Sequence, residues 1–184
     1  MTAALLSVLT ALLCVLSATA QPEPQKDFNL QKFSGKWYLI GMGSNAQWFM
    51  NKKSWMKMGT AVYTPTAEGN LDVLVTSQKP TECWKMHQLF DKTETPGRFT
   101  FYSQVWGNKN DVRVVETNYD EFALVHTIKT KGDSVSVLTK LYGRSQELRP
   151  ELIQKFQQHS LAHGIALDNV LILPKNVECT PNAA

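Results

Sequence analysis

The chain has 184 residues, 43% of them hydrophobic, with 19 basic and 16 acidic side chains and a formal net charge of +3. So mild a balance, with its lysines and arginines scattered, offers no stripe for nucleic acid and no polybasic membrane anchor. The length suits one domain that can bury a single core without a structural metal or many cross-links.

Met1 to Ala20 carries no charged side chain. Leu5 to Leu16 is apolar, and Ala18-Thr19-Ala20 supplies the small-x-small pattern that signal peptidase accepts. The run is too short to span a bilayer, and the polar stretch Gln21 to Lys26 follows at once. Residues 1–20 therefore read as a signal peptide and 21–184 as one secreted, extracellular domain; a buried N-terminal helix is the alternative. Of the three cysteines, Cys14 leaves with the leader. Cys83 and Cys179 remain, and an even pair in a secreted chain reads as a disulfide, with two free thiols or one nucleophile as the alternatives. No Asn-x-Ser/Thr acceptor occurs.

In chain order, short β-rich runs follow: Trp37–Met42, Lys57–Thr64, Leu71–Ser77, Cys83–Phe90, Arg98–Gln104, Asp111–Thr117, Phe122–Lys129 and Ser134–Tyr142. Phe99-Thr100-Phe101 and Val112-Arg113-Val114 show the period of two. Turn residues such as Glu68-Gly69-Asn70, Thr95-Pro96-Gly97 and Lys131-Gly132-Asp133 separate the runs. The pattern predicts an all-β fold: an eight-stranded, antiparallel, up-and-down barrel that closes on itself and leaves no edge. Pro150-Glu151 then opens a helix, Leu152, Ile153 and Phe156 form its apolar stripe, and Gly164 ends it. Val170 to Leu173 is a short last strand. One helix after eight strands is expected to pack outside the barrel, whose interior has room for one small ligand.

Three separated motifs carry a family resemblance. Gly35-Lys36-Trp37 opens the first strand, Thr117-Asn118-Tyr119 lies between the sixth and seventh, and Leu141-Tyr142-Gly143-Arg144 closes the eighth. Together they resemble the signature regions of the lipocalin family. The resemblance implies that Gly35, Trp37, Thr117, Tyr119 and Arg144 are structural, with the Trp37 indole plugging the closed end beneath the Arg144 guanidinium. Asn118 departs from the usual Asp; it keeps a turn-forming side chain and loses the charge. Within the family the chain most resembles the prostaglandin D synthase branch, through Phe33 to Trp37, Ser44-Asn45, Trp48, Lys52-Lys53, Val114 to Asp120 and Leu141 to Ser145.

The isomerase chemistry of that branch uses a thiolate inside the cup, in a Met-Cys dipeptide after the Lys-Lys segment. The matching dipeptide here is Met58-Gly59. By the same matching, the assisting hydroxyls fall on Leu39, Ala61 and Val75. With no heteroatom at any of the four, that route lacks its nucleophile, and the chain is expected not to be an enzyme. A monomeric carrier of a small hydrophobic ligand, such as a retinoid, fatty acid or odorant, is the first reading; a prostaglandin-H2 D-isomerase is the second. Neither cofactor nor metal is called for.

Parity names the expected ligand-lining residues. Trp37 points inward, which puts Leu39 and Gly41 on its face. Gly59, Ala61 and Tyr63 follow from the dipeptide, Val73 and Val75 from the third strand, and Phe99 and Phe101 from the fifth. Leu138, Lys140 and Tyr142 share the parity of Arg144. An inward Lys140 selects a carboxylate; a register slip places it in water. Trp48, Phe49 and Trp55, on the long loop after the first strand, are either a gate or loop anchors.

Gly41-Met42-Gly43-Ser44-Asn45-Ala46 spells the outline of a dinucleotide fingerprint, but the antiparallel pattern denies it a parallel crossover. His159 and His163 have i,i+4 spacing without an evident third ligand and read as a solvated helix face. His87 and His126 read as isolated strand residues.

Overall fold

The computed structural model describes residues 21–80 and 82–179. The signal-peptide reading lies outside the described residues.

The chain forms β1 (Gly35–Ser44), β2 (Thr60–Pro65), β3 (Leu71–Gln78), β4 (Cys83–Lys92), β5 (Arg98–Ser103), β6 (Asn108–Thr117), β7 (Phe122–Lys131), β8 (Ser134–Gly143) and β9 (Val170–Ile172). All pairings are antiparallel, in the order β2-β3-β4-β5-β6-β7-β8-β1-β9, and β2 also pairs with β1. The first eight strands thus close into an up-and-down barrel, and β9 adds to β1 outside it. Helix α1 (Leu30–Phe33) lies at the closed end, α2 (Gln47–Lys52) follows β1, and α3 (Pro150–Ala162) packs on the outer wall.

The strands run two or three residues beyond the alternating runs at several ends. β6 starts at Asn108 rather than Asp111, and β4 continues to Lys92. β2 instead begins late, at Thr60. The seam between β4 and β5 is short, holding only at Asp91 opposite Thr100 and Lys92 opposite Phe99.

Alternation splits the apolar residues into two cores. The inner one fills the barrel with Trp37, Ala61, Tyr63, Leu71, Val73, Phe99, Val112, Val114, Val125 and Tyr142, capped by Phe33 from α1. The outer one joins barrel to helix through Ile40, Phe122, Leu124, Leu141, Leu152, Phe156 and Ile165. On β7 the two alternate residue by residue: Phe122 and Leu124 face out, Ala123 and Val125 face in. Helix α3 buries Leu152, Phe156 and Ser160, four residues apart on one stripe, with proline at its start and Gly164 just past its end at φ +80°.

Two expectations need correction. A β-bulge interrupts β1 between Leu39, opposite Tyr142, and Gly41, opposite Leu141. The extra residue reverses the parity beyond it, so Gly41 faces outward, where a Cβ would stand 2.6 Å from the Phe156 ring. The absent side chain lets α3 lie close to the barrel. The histidines differ as well: His159 and His163 are half-buried rather than solvated, and His126 of β7 packs against both. A short helix does follow the Gly41–Ala46 run, yet β1 has only antiparallel partners, so the dinucleotide outline stays empty of meaning.

Candidate functional site

The closed end is built by the three motifs. Gly35 takes φ +94°, and an added Cβ would crowd an Arg144 nitrogen at 3.4 Å. Arg144 lies flat on the Trp37 indole, its guanidinium carbon 3.7 Å from the ring centre. Its nitrogens donate to the carbonyls of Tyr119 and Lys36, both at 2.8 Å, and of Ser34 at 2.9 Å. The indole Nε1 donates to the Phe33 carbonyl at 2.8 Å. Thr117 Oγ1 donates to the Phe122 carbonyl at 2.6 Å and accepts from the Tyr119 amide at 2.9 Å. Tyr119, at φ +68°, offers its hydroxyl to the Asn29 amide. Asn118 accepts from the amides of Glu121 and Phe122 through Oδ1, so the turn survives loss of the charge.

Above this plug the barrel floor is solid. The space left among Phe33, Tyr63, Leu71, Phe90, Phe99, Val112, Val114 and Val125 is about 10 Å3, room for one water at most. Ala61, Tyr63, Val73, Phe99 and Tyr142 are buried in that packing. Tyr63 meets Tyr142 edge to face at 6.0 Å. Burial, then Tyr142, pushes the Tyr63 phenol well above its ordinary range, so it stays a protonated donor.

Leu39, Val75 and Phe101 are only partly buried against this core. Phe101 stacks on Phe90 with centroids 4.5 Å apart. Leu138 is buried opposite Thr127. Lys140 sits opposite inward Val125, half-buried, its Nζ 5.9 Å from the Tyr142 ring centre.

Sequence reasoning missed a second inward lysine. Lys129 on β7 lies opposite Asn110 of β6 and donates to its Oδ1. Burial, then the Lys140 charge, lowers its pKa to about 8. Asn110 is itself 2% exposed and donates to Asn108 Oδ1 at 2.7 Å. Alternation past Val125 and Val112 carried this signal: Thr127 and Lys129, and Asn110, share the inner face.

Leu39, Ala61 and Val75 lie on β1, β2 and β3, and Gly59 sits one residue before β2. Ala61 lies opposite both Trp37 and Val75, and the Leu39 amide donates to the Gly59 carbonyl at 2.9 Å. A Cβ at Gly59 would stand 2.4 Å from the Thr76 carbonyl oxygen, so this backbone has no room for a side chain there. Thr60 and Thr76 share the opposite face from Ala61 and Val75 and bond each other at 2.6 Å, while Ser77 has the parity of Val75 and its Cβ would lie 3.4 Å from a Cβ at Gly59.

Of the aromatics after β1, Phe49 is fully buried, Trp48 is 40% exposed and Trp55 84%. The segment is tied down by Ser44 Oγ donating to the Val137 carbonyl, the Val137 amide donating to Asn45, and Lys53 Nζ donating to the Asp168 carbonyl. Phe49 is an anchor. Cys83 and Cys179 form a disulfide that holds the C-terminal tail to β4, with Cα atoms 5.5 Å apart. No helix among the described residues is long and apolar enough to cross a membrane.

A closed eight-stranded barrel with a plugged floor and an external helix defines the calyx class of small-ligand binders. The model of the lipocalin / cytosolic fatty-acid binding protein family matches residues 34–177. The chain is 50% identical over 155 residues to a lipocalin of Rhinella marina, covering 84% of this chain and 85% of that one. It is 37% identical over 175 residues to the prostaglandin-H2 D-isomerase of Felis catus, covering 94% and 92%. The solved structure of the siderocalin Ex-FABP, described as functioning through dual ligand specificities, superposes with a TM-score of 0.70 at 26% identity, covering 81% of this chain and 99% of that one. The chain belongs to the lipocalin family, which binds small hydrophobic ligands in its barrel.

Proposed function

We propose that the chain is a secreted, monomeric carrier of a small apolar ligand bearing an acidic group, and that it performs no catalysis. The observation that supports this most is the group of four carbon-only positions, Leu39, Gly59, Ala61 and Val75, where the isomerase route needs a thiolate and its helpers. Cys83 and Cys179 are spent on each other, so neither supplies the missing nucleophile.

The ligand enters from the mouth and rests on the packed floor, because that floor leaves no room for it. Its apolar body lies against Leu39, Val75, Phe101 and Leu138, with Ala61, Tyr63, Val73, Phe99 and Tyr142 beneath. Its anionic end meets Lys140 and Lys129, with the Asn110 amide alongside. A retinoic or fatty acid has the required shape and charge. Export rests on the leader-like residues 1–20 and on a disulfide of the kind that persists in oxidising compartments. Neither a nucleic-acid partner nor a membrane anchor belongs to this reading.

Native mass spectrometry of protein purified from its own secretion, with the bound molecule identified, tests the carrier. An apolar acid in the cup is expected; an empty cup, together with unquenched tryptophan fluorescence on adding retinoic acid, overturns it. The second reading is a prostaglandin-H2 D-isomerase, favoured by the 37% identity to an enzyme of that name. Rapid conversion of the endoperoxide by the purified protein would establish that reading and end the carrier-only one.

A further inference from the structure

Three histidines meet outside the cup, in the seam between barrel and helix. His126 sits in the middle of β7, on the outer face, and is 1% exposed. His159 lies in the last turn of α3 and His163 caps its end, so both ride one helix face, four residues apart. The His126 Nδ1 and His159 Nε2 atoms are 3.2 Å apart. Ring centres of His126 and His163 are 4.9 Å apart, and those of His159 and His163 are 4.3 Å apart. One nitrogen from each ring falls within 4.8 Å of the other two.

We infer that His126, His159 and His163 bind a divalent transition-metal ion of the zinc class, which ties the C-terminal helix to the barrel. Nitrogens about 2.0–2.1 Å from a tetrahedral zinc are about 3.3 Å from one another, the spacing His126 and His159 already have. The wider contacts close by rotation of the His159 and His163 rings, both half-buried at the helix end. Three imidazoles leave a fourth position for water, the pattern of an open rather than a sealed zinc site.

A second, separate feature supports ligation. The His163 Nδ1 lies 2.7 Å from the His159 carbonyl oxygen, to which its N–H donates. That bond fixes the tautomer and leaves Nε2 as the lone pair, the backbone-braced arrangement of metal-bound histidines.

The charges around the seam are paired. Arg113, opposite His126 on β6, holds Asp111 at 3.0 Å, and Lys155, one turn before His159, bonds Glu116. Thr139, opposite His126 on β8, is occupied with Ser160 of α3 at 2.7 Å. The site does not depend on what the cup carries, because the inner core separates the two.

Isothermal titration of the disulfide-bonded protein, made without a histidine tag, with zinc chloride tests the site. One ion per chain at micromolar affinity or tighter is expected, with a rise in melting temperature. His159→Ala and His163→Ala, both at partly exposed helix positions, should each weaken binding about a hundredfold and abolish that rise. His87→Ala, on the exposed face of β4, should change neither. Cobalt substitution should give the visible spectrum of a tetrahedral nitrogen site. Absence of saturable one-to-one binding, or binding that survives both helix substitutions, overturns the site even if His126→Ala fails to fold.

Discussion

At the scale of single residues, the contacts that define the barrel are bidirectional and specific, and their loss is measurable. Arg144 covers an indole and feeds at least three backbone carbonyls at once. A lysine keeps the charge but cannot present a planar fork to that set. Arg144→Lys is expected to cost about 2–3 kcal/mol, from lost stacking and stranded carbonyls, read as a lower urea midpoint at unchanged slope. Gly59 poses the opposite question, of what an added side chain does. Gly59→Cys puts a thiol in the position that the isomerase mechanism requires, but its Cβ runs into the Thr76 carbonyl 2.4 Å away. The variant is expected to melt below the parent and to leave prostaglandin H2 unconverted, as followed by product chromatography. The hydroxyl helpers at positions 39, 61 and 75 would still be absent. Appearance of the D-isomer would show that one side chain separates carrier from enzyme.

Among the elements, cross-links decide what stays attached. The disulfide joins residues 96 apart in sequence. Closing a loop of that length stabilises by about 4–5 kcal/mol in the chain-entropy model. Cys83→Ser with Cys179→Ser should lower the melting temperature by calorimetry and speed hydrogen exchange in the tail after β9 before it does so in the barrel. The eight strands, the helix and its stop were legible because period-two runs, Pro150 and Gly164 act locally. The inward facing of Ala61, Tyr63, Val73, Phe99 and Tyr142 was legible for the same reason. Gly41 was not, since one bulged residue in β1 inverts every later position, and nothing in Gly-Met-Gly announces a bulge. Strand ends were blurred where polar residues such as Asn108 and Lys92 continue a ladder that neighbours impose. The His126 cluster was hidden for a third reason: it depends on which strand the helix crosses, a packing outcome with no local sign in either segment.

For the whole molecule, the governing facts are two inward-facing lysines, Lys129 and Lys140, on the wall above an apolar floor, and a net charge of only +3. Long-range steering is weak, so under the proposed function a preference for an acid has to come from contact inside the cup. Lys129 carries the pH dependence. Its pKa, lowered from 10.5 to about 8 by burial and by Lys140, makes the charged form costly in the empty folded protein. Between pH 8 and 10.5 the unfolded chain binds the extra proton and the folded one does not, so the stability of the empty protein should rise with pH there. The gain is about 1–2 kcal/mol after solvent screening of this half-buried group. Binding of an anion runs the other way. The ammonium that attracts it is present below pH 8 and lost above, so affinity for retinoic acid should fall as pH rises through that value, while affinity for retinol should stay level. Lys129→Met should flatten both curves, and Lys140→Met should lower the acid's affinity about tenfold at pH 7 without abolishing the slope. Fluorescence titrations at pH 6, 8 and 10 with the acid and the alcohol measure the affinities, and urea titrations of the empty protein from pH 7 to 10.5 measure the stability. Equal affinities for the two at every pH would remove the lysines from ligand selection and leave the cup as a purely apolar receptor.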